Sequence, residues 1–563
     1  MTESRANPGE PIENLMIATI IEVDGPHVVA ELDSKIAELT RVFGGDIYPI
    51  GQFGSIVKVH FGRRIIYAYV SRLRMKSEYE RERGIESPTP STARIVEADL
   101  FGEGDWIRKE EWELEFDRGV SNYPLPQQKL YLTPRSELAF IYGGTSGRSI
   151  TMGEHVGSAG TPCHADLNEL LGKHTAVLGS TGAGKSATVA AILHALLERG
   201  EREGYERWQP QIVVLDPHNE YGDAFLNHSR LSTDENTLAL PYWLLNFQET
   251  VNLVIGKTEF VATSQANIVK RALLSARQEG AEGIVDPATI TVDSPVPYCL
   301  DRFEQIVDAD KPKQASKQDS WLSILGKLDV LRTDARMSFM MANWAGKEDQ
   351  LDAVVQQFLG KGDPMRIVDL SGVPSEVAGI ASAAIARTLF SVKVWQTPEE
   401  RAASPVLIVC EEAHRYVPNR GEAMYQAAQE AIRRLAKEGR KYGVGLMLVS
   451  QRPGEVESTV LSQCNSWVVM RITNDQDREH VRGVLPDSMA GLVKMLSGLR
   501  RREAIFVGEA AMLPSRIMIR ELAETELPRS HDIDFDAGWQ TVPMDPKDIA
   551  AVGQRWRTQR RGG

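Results

Sequence analysis

The chain has 563 residues, 42% hydrophobic and 25% charged, a length with room for roughly three or four domains of ordinary globular composition. Its 64 basic and 77 acidic side chains leave a net charge of −13, which excludes a uniformly basic nucleic-acid coat but not a local basic channel. Cys163, Cys299, Cys410 and Cys464 form no C-x-x-C pair, Met1-Thr2-Glu3-Ser4 opens no signal peptide, and no apolar run approaches about 18 residues. A cytoplasmic protein with no disulfide framework, zinc ribbon or membrane span is expected.

In chain order, residues 14–75 are rich in β-branched residues and glycine. Leu15–Val23 leads through the turn signal Asp24-Gly25 to His27–Leu32, and Gly54–Val59 and Arg64–Val70 read as further strands. Short strands joined by glycine turns predict a small β-barrel over residues 1–95. Ser77–Ser91 is charged and then rich in Ser and Pro, as in an exposed loop. Strand-like pieces at Leu130–Leu132 and Leu138–Tyr142 make residues 96–165 a β-rich connecting region.

Strands and helices then alternate, which predicts an α/β core with a parallel sheet. The strand His174–Leu178 runs into Gly179-Ser180-Thr181-Gly182-Ala183-Gly184-Lys185-Ser186, followed from Ala187 to Glu198 by an apolar-rich helix. This is G-x-x-x-x-G-K-[ST] between a strand and a helix, the context that a phosphate-binding P-loop needs. Glycines let the backbone wrap a phosphate, and the helix N-terminus presents partial positive charge to it. Residues Gly179 to Ala187 would cradle ATP, with Lys185 reaching its β- and γ-phosphates and Ser186 ligating Mg²⁺.

Further strands carry polar residues at their C-terminal ends, where open α/β sheets bind ligands. Ile212–Leu215 ends in Asp216-Pro217-His218-Asn219-Glu220-Tyr221, and Asp216 is a candidate for the magnesium shell. Leu407–Cys410 ends in two acids: Glu411 is assigned to magnesium, and Glu412 to orienting and deprotonating the attacking water. Gly445–Val449 ends in Ser450-Gln451-Arg452-Pro453, where the amide of Gln451 suits γ-phosphate sensing because it both donates and accepts. Within the basic run 433–441, Arg440 and then Arg434 are candidates for an arginine supplied to a neighbouring subunit. The ATPase core is thus expected over 166–247 and 341–524. A mostly helical block, including Val261–Gln278, fills 248–340, and an extended tail occupies 525–563. Two decoys are set aside. Gly256-Lys257-Thr258 has Val251 where a first P-loop glycine belongs, and Leu370-Ser371-Gly372 lacks the rest of a transporter signature.

These residues together resemble the HerA branch of the HerA–FtsK ATPases. The resemblance rests on Gly-Ser-Thr-Gly-Ala-Gly-Lys-Ser at 179–186, Asp-Pro-His-Asn-Glu-Tyr at 216–221, Glu-Glu-Ala-His at 411–414, Gly-Arg-Lys-Tyr-Gly at 439–443 and Ser-Gln-Arg-Pro at 450–453. Ile50–Ser55, Arg471–Asp475 and the late strand Ala504–Gly508 also fit. It implies a RecA-like P-loop core with an N-terminal barrel and a helical insertion. It further implies a homo-hexamer that hydrolyses ATP between subunits and moves double-stranded DNA through its pore. A nuclease or other effector, NurA-type or sirtuin-like, is the expected partner on the barrel, in end processing or antiphage defence. Two positions depart from the family pattern: Lys173-His174 stands where some relatives carry an arginine, and Asn219 replaces a frequent glycine.

Two functions compete on the sequence alone. A DNA-translocating motor needs basic groups in its pore, for which Lys311, Lys313, Lys317 and Lys327 of the insertion are candidates. An ATP-dependent ring scaffold that assembles and switches an effector, with little DNA movement, is the alternative.

Overall fold

The computed structural model describes residues 9–36, 38–52, 54–85, 92–109, 112–143, 147–156, 160–256, 263–342, 344, 349–419, 426–485, 493–529, 534–540 and 545–558. The chain divides into two compact units, Met1–Asp166 with Pro486–Arg520, and Leu167–Leu485 with Glu521–Gly563.

The first unit is built on β1 (Met16–Asp24), β2 (His27–Leu32), β5 (Ile56–Phe61), β6 (Arg64–Met75), β7 (Arg94–Arg108), β8 (Trp112–Arg118) and β9 (Lys129–Leu132), with the small ribbon β3 (Thr40–Phe43) and β4 (Asp46–Pro49). The order β2-β1-β9-β5-β6-β7 closes on itself through β2 and β7, and β8 adds to the outside of β7. Closure removes the exposed edges that a small sheet would otherwise present. The barrel interior is aliphatic, from Leu15, Ile17 and Ile20 through Val57, Val59 and Ile66 to Val96 and Leu130. The antiparallel strands β10 (Ser149–His155), β11 (Pro162–Asp166), β19 (Glu503–Gly508) and β20 (Ser515–Ile519) complete this unit.

The second unit carries seven parallel strands: β12 (Thr175–Leu178), β13 (Gln211–Asp216), β14 (His228–Ser232), β15 (Met365–Asp369), β16 (Val406–Cys410), β17 (Val444–Ser450) and β18 (Ser466–Val469). Their order is β18-β12-β17-β16-β13-β15-β14. Apart from β14, they are wholly or almost wholly buried, as expected of a sheet covered on both faces. The helix Ser375–Trp395 packs on this core; its stretch Val377–Trp395 is long and apolar enough to cross a membrane, but 72% of that window lies inside the fold. Reading continuous apolar runs alone overlooks it, because Arg387 and Lys393 interrupt its composition.

Several expectations change. The strand expected at Leu138–Tyr142 is part of the helix Arg135–Gly143, whose Leu138, Ile141 and Tyr142 share one buried face at helical spacing. The charged segment after Met75 starts as a helix, Lys76–Glu82, with Tyr79 buried beneath it. β7 runs through the boundary expected at residue 95, so β7, β8 and β9 belong to the barrel sheet and not to a separate connector. The late strand Glu503–Gly508 pairs with β20 in the first unit, outside the ATPase core to which 341–524 was assigned. The tail is not extended throughout: Phe535–Trp539 and Pro546–Thr558 are helical.

In the insertion, the helix Thr263–Gly280 buries Arg277 completely. Its guanidinium donates to the carbonyls of Val292, Trp243 and Leu245, tying two separate segments of chain to one side chain. Arg277→Ala strands those acceptors in the core and is expected to cost about 3 kcal/mol or more. Denaturant unfolding monitored by tryptophan fluorescence checks this, and an unchanged midpoint contradicts it.

Candidate active site

Four neighbouring strands of the parallel sheet, β12, β17, β16 and β13, end on one edge, and each delivers part of the site. The register places Leu178 beside Ser450, Cys410 beside Leu448 and Leu215 beside Cys410. Residues just beyond those pairs therefore meet: the P-loop, Gln451, Glu411-Glu412 and the loop 216–221.

The P-loop leaves β12 and enters the helix Lys185–Arg202 through Gly182 and Gly184, at φ 73° and 98°. These left-handed conformations are open to glycine and turn the chain tightly enough to wrap a phosphate. A Cβ at Gly179 would lie 2.9 Å from the Met470 side chain, so the loop sits directly against the segment after β18. There the Ser180 amide donates to the Arg471 carbonyl at 2.8 Å, and the Thr473 amide donates to Ser180 Oγ at 3.2 Å. Lys185 is buried and donates to the Ser180 carbonyl at 3.2 Å. Burial lowers its pKa, opposed by the charges of Glu411, Glu412 and Glu220.

The two acids after β16 sit in different surroundings. Glu411 is buried; it accepts the Tyr221 hydroxyl and, at 3.2 Å, the Glu412 amide. Burial pushes its carboxyl up to about 8, and the nearby Glu412, Glu220 and Asp216 push the same way against the Tyr221 bond. Glu412 adopts φ 50° and ψ 51°, a left-handed conformation uncommon outside glycine. One of its oxygens accepts from the Gln451 amide, and His414 Nδ1 lies 3.2 Å from the other. Burial raises its pKa, but His414, Lys185 and Gln451 outweigh that and hold it below the usual value. The Thr181 hydroxyl donates to Gln451 Oε1 at 2.5 Å, so hydrogen bonds run from the P-loop through Gln451 to Glu412. An ionised carboxylate at the end of that chain can take a proton from a water beside the phosphate groove.

Asp216 is held by the backbone of the loop that follows it. Its two oxygens accept the amides of His218 at 3.1 Å and Tyr221 at 3.0 Å, so the carboxylate organises its own loop. Burial pushes it up to about 6, against those two bonds. Glu220 is the acid that meets Ser186, whose hydroxyl donates to it at 2.8 Å. The sequence signal was an acid four residues past a strand end; the turn that brings it back is set by Asn219 at φ 57°. Asparagine tolerates that conformation, which accounts for its standing in for glycine. Tyr221 and His414 are further site residues to which the sequence attached no role.

Arg440 and Lys173 are elsewhere. Arg440 precedes β17 and Gln451 follows it, so seven residues of strand, about 20 Å, separate them. Arg440 and Lys173 line one cavity of about 820 Å³ at the opposite edge of the sheet, with the buried Lys393. Lys173 pairs with Glu169 at 2.6 Å, and His174 accepts the Leu446 amide at 3.1 Å. Arg434 lies over the Phe390 ring at 5.2 Å and pairs with Glu438.

A parallel sheet with a P-loop after β12, a buried lysine and paired acids after β16, with β17 between the two strands, defines a RecA-like P-loop ATPase, an ATP hydrolase. Residues 150–389 match the family model for the central domain of helicase HerA. The DNA double-strand break repair helicase HerA of Pyrococcus furiosus is 24% identical over 406 residues, 64% of this chain and 67% of its own. A protein named as a probable helicase in Methanocaldococcus jannaschii is 26% identical over 469 residues, 79% of this chain and 84% of its own. VirB4 of Thermoanaerobacter pseudethanolicus is similar at a TM-score of 0.47 and 17% identity, covering 68% of this chain and 98% of that one. The chain is thus similar to HerA helicases, most specifically over residues 150–389.

Gln451→Ala interrupts the path from Thr181 to Glu412 while leaving Gly179–Ser186 and Lys185 unchanged. ATP turnover is expected to fall about 100-fold while nucleotide affinity holds. Steady-state hydrolysis beside nucleotide titration checks this, and unaltered turnover contradicts it.

Proposed function

We propose that the chain is an ATP-hydrolysing, hexameric double-stranded DNA translocase of HerA type, acting with a partner nuclease or effector on the barrel in DNA end processing or antiphage defence. The observation that carries the reading is the hydrogen-bonded run Thr181–Gln451–Glu412 beside Lys185 and the Ser186–Glu220 pair. Such a run supports a reading in which a proton acceptor and phosphate-binding groups share one edge of the sheet.

In this reading the Gly179–Ala187 backbone and Lys185 hold the phosphates of ATP. Ser186, Glu220 and Glu411 fit Mg²⁺: Glu220 holds the serine hydroxyl, and the surplus of buried acid over one lysine suits a hard dication. When bound, magnesium neutralises charge on the transferring phosphoryl group. Glu412 orients the attacking water and accepts its proton, and Gln451 couples that carboxylate to Thr181. Arg440 serves a neighbouring subunit, because it lies on the sheet edge remote from its own P-loop. An arginine there completes a site only across an interface, which favours a ring of identical chains. Lys311, Lys313 and Lys317 cluster on the connection between the helices Leu300–Ala309 and Asp319–Thr333, and Lys327 lies on the second. Such a basic connection suits sequence-independent phosphate contacts.

Glu412→Gln is expected to bind ATP and lose turnover; normal hydrolysis in it removes the assignment. Arg440→Ala should also bind without turnover, and mixing it with Lys185→Ala should restore part of the activity through hybrid interfaces. No recovery refutes the action in trans. Double-stranded DNA should stimulate hydrolysis, and the stimulation should fall steeply with salt. Indifference to DNA at every salt concentration favours the scaffold reading over the motor.

A further inference from the structure

We propose that His194, Glu198 and Glu526 form a divalent transition-metal site that pins the C-terminal segment to the P-loop helix. The site is separate from the magnesium position beneath the phosphates, and it does not rest on the proposed DNA activity.

His194 and Glu198 are four residues apart on the helix Lys185–Arg202 and so share one face. Glu526 ends the short turn Glu524–Glu526 and reaches the same place from a distant part of the chain. One donor atom from each of the three lies within 4.8 Å of the others. The imidazole is fixed on two sides. Its Nε2 lies 3.0 Å from the Ala224 carbonyl, and its ring stacks on Phe225 with centroids 4.4 Å apart. A carbonyl only accepts, so the proton sits on Nε2 and the lone pair on Nδ1. Orienting one ring nitrogen against a carbonyl is how metal-binding histidines are commonly held. Glu526 uses Oε2 to accept the Ala523 amide at 3.0 Å, which holds its carboxylate in place and leaves Oε1 as a donor.

One imidazole nitrogen and two carboxylate oxygens select a borderline ion such as Zn²⁺ over Mg²⁺ or Ca²⁺, and leave a fourth position for water. Occupancy has a mechanical consequence. Three residues past Glu526, the Arg529 amide donates to the Glu220 carbonyl at 3.0 Å, and its guanidinium lies 3.2 Å from Asp223. Glu220 in turn holds Ser186 of the P-loop. A bound ion therefore fastens the segment that braces the loop over the nucleotide site.

The test uses the full chain, stripped with chelator and free of nucleotide. Zn²⁺ is titrated by calorimetry, and Co²⁺ by its visible absorption. One equivalent is expected, with nitrogen ligation in the Co²⁺ spectrum, and bound ion should protect the chain around Glu526 from proteolysis. His194→Ala should weaken binding by about tenfold or more. Glu526→Gln, nearly isosteric and close to the surface, should do the same with the fold intact. Glu411→Gln, at the acids beneath the P-loop, should leave the affinity unchanged. Absence of stoichiometric binding, or loss in Glu411→Gln with retention in His194→Ala and Glu526→Gln, overturns the proposal.

Discussion

The organising constraint of the second unit is negative charge buried beside a single lysine. Asp216, Glu220, Glu411 and Glu412 all come from the ends of adjacent strands near the base of the P-loop, where the charges of Glu411, Glu412 and Glu220 act on Lys185. Buried carboxylates are costly unless they are hydrogen-bonded, protonated or matched by positive charge. The fold applies each remedy to a different acid. Asp216 is satisfied by two amides of its own loop, Glu411 is driven toward protonation, and Glu412 is kept ionised by Gln451, His414 and Lys185. Two adjacent carboxyls thereby acquire opposite proton affinities. Environments that push neighbouring acids apart let one site hold an ionised base beside a protonated acid at one pH.

The loop after β13 ties these parts together. Through Asp216 it caps itself, through Glu220 it holds Ser186, through Tyr221 it covers Glu411, and through the Ala224 carbonyl it meets His194. Arg529 adds a contact from the end of the chain. A change at any of these points reaches the P-loop through a short series of hydrogen bonds, without rearranging the sheet. The left-handed residues Asn219 and Glu412 follow adjacent strands at the same edge, where local strain is held by the surrounding bonds.

The sheet also has a polarity. One edge gathers acids and phosphate-binding backbone, while the other carries Arg440, Lys173 and Lys393 around a large cavity. Lys393 donates to Ser404 Oγ at 2.8 Å, and burial pushes its pKa down to about 8. Groups of opposite sign on opposite edges of one sheet suit head-to-tail association, in which the acidic edge of one copy faces the basic edge of the next. That arrangement underlies the proposed ring.

What the sequence determined by itself was local: the P-loop, the buried strands around it and the acids and amide at their ends. Each is a contiguous pattern whose physical requirement lies within a few residues, glycines for a left-handed turn or an apolar run for a covered strand. The helix at Arg135–Gly143 escaped that reading because five apolar-rich residues fit a strand or a helix equally well, and only its packing partners settle the period. Only the tertiary structure decided which acid meets Ser186. Asp216 and Glu220 are four residues apart, and the choice between them depends on a turn that sends one carboxylate inward and the other back toward the P-loop. Strand order decided the rest: Thr181 and Gln451 are 270 positions apart in sequence, and they touch because β17 lies beside β12.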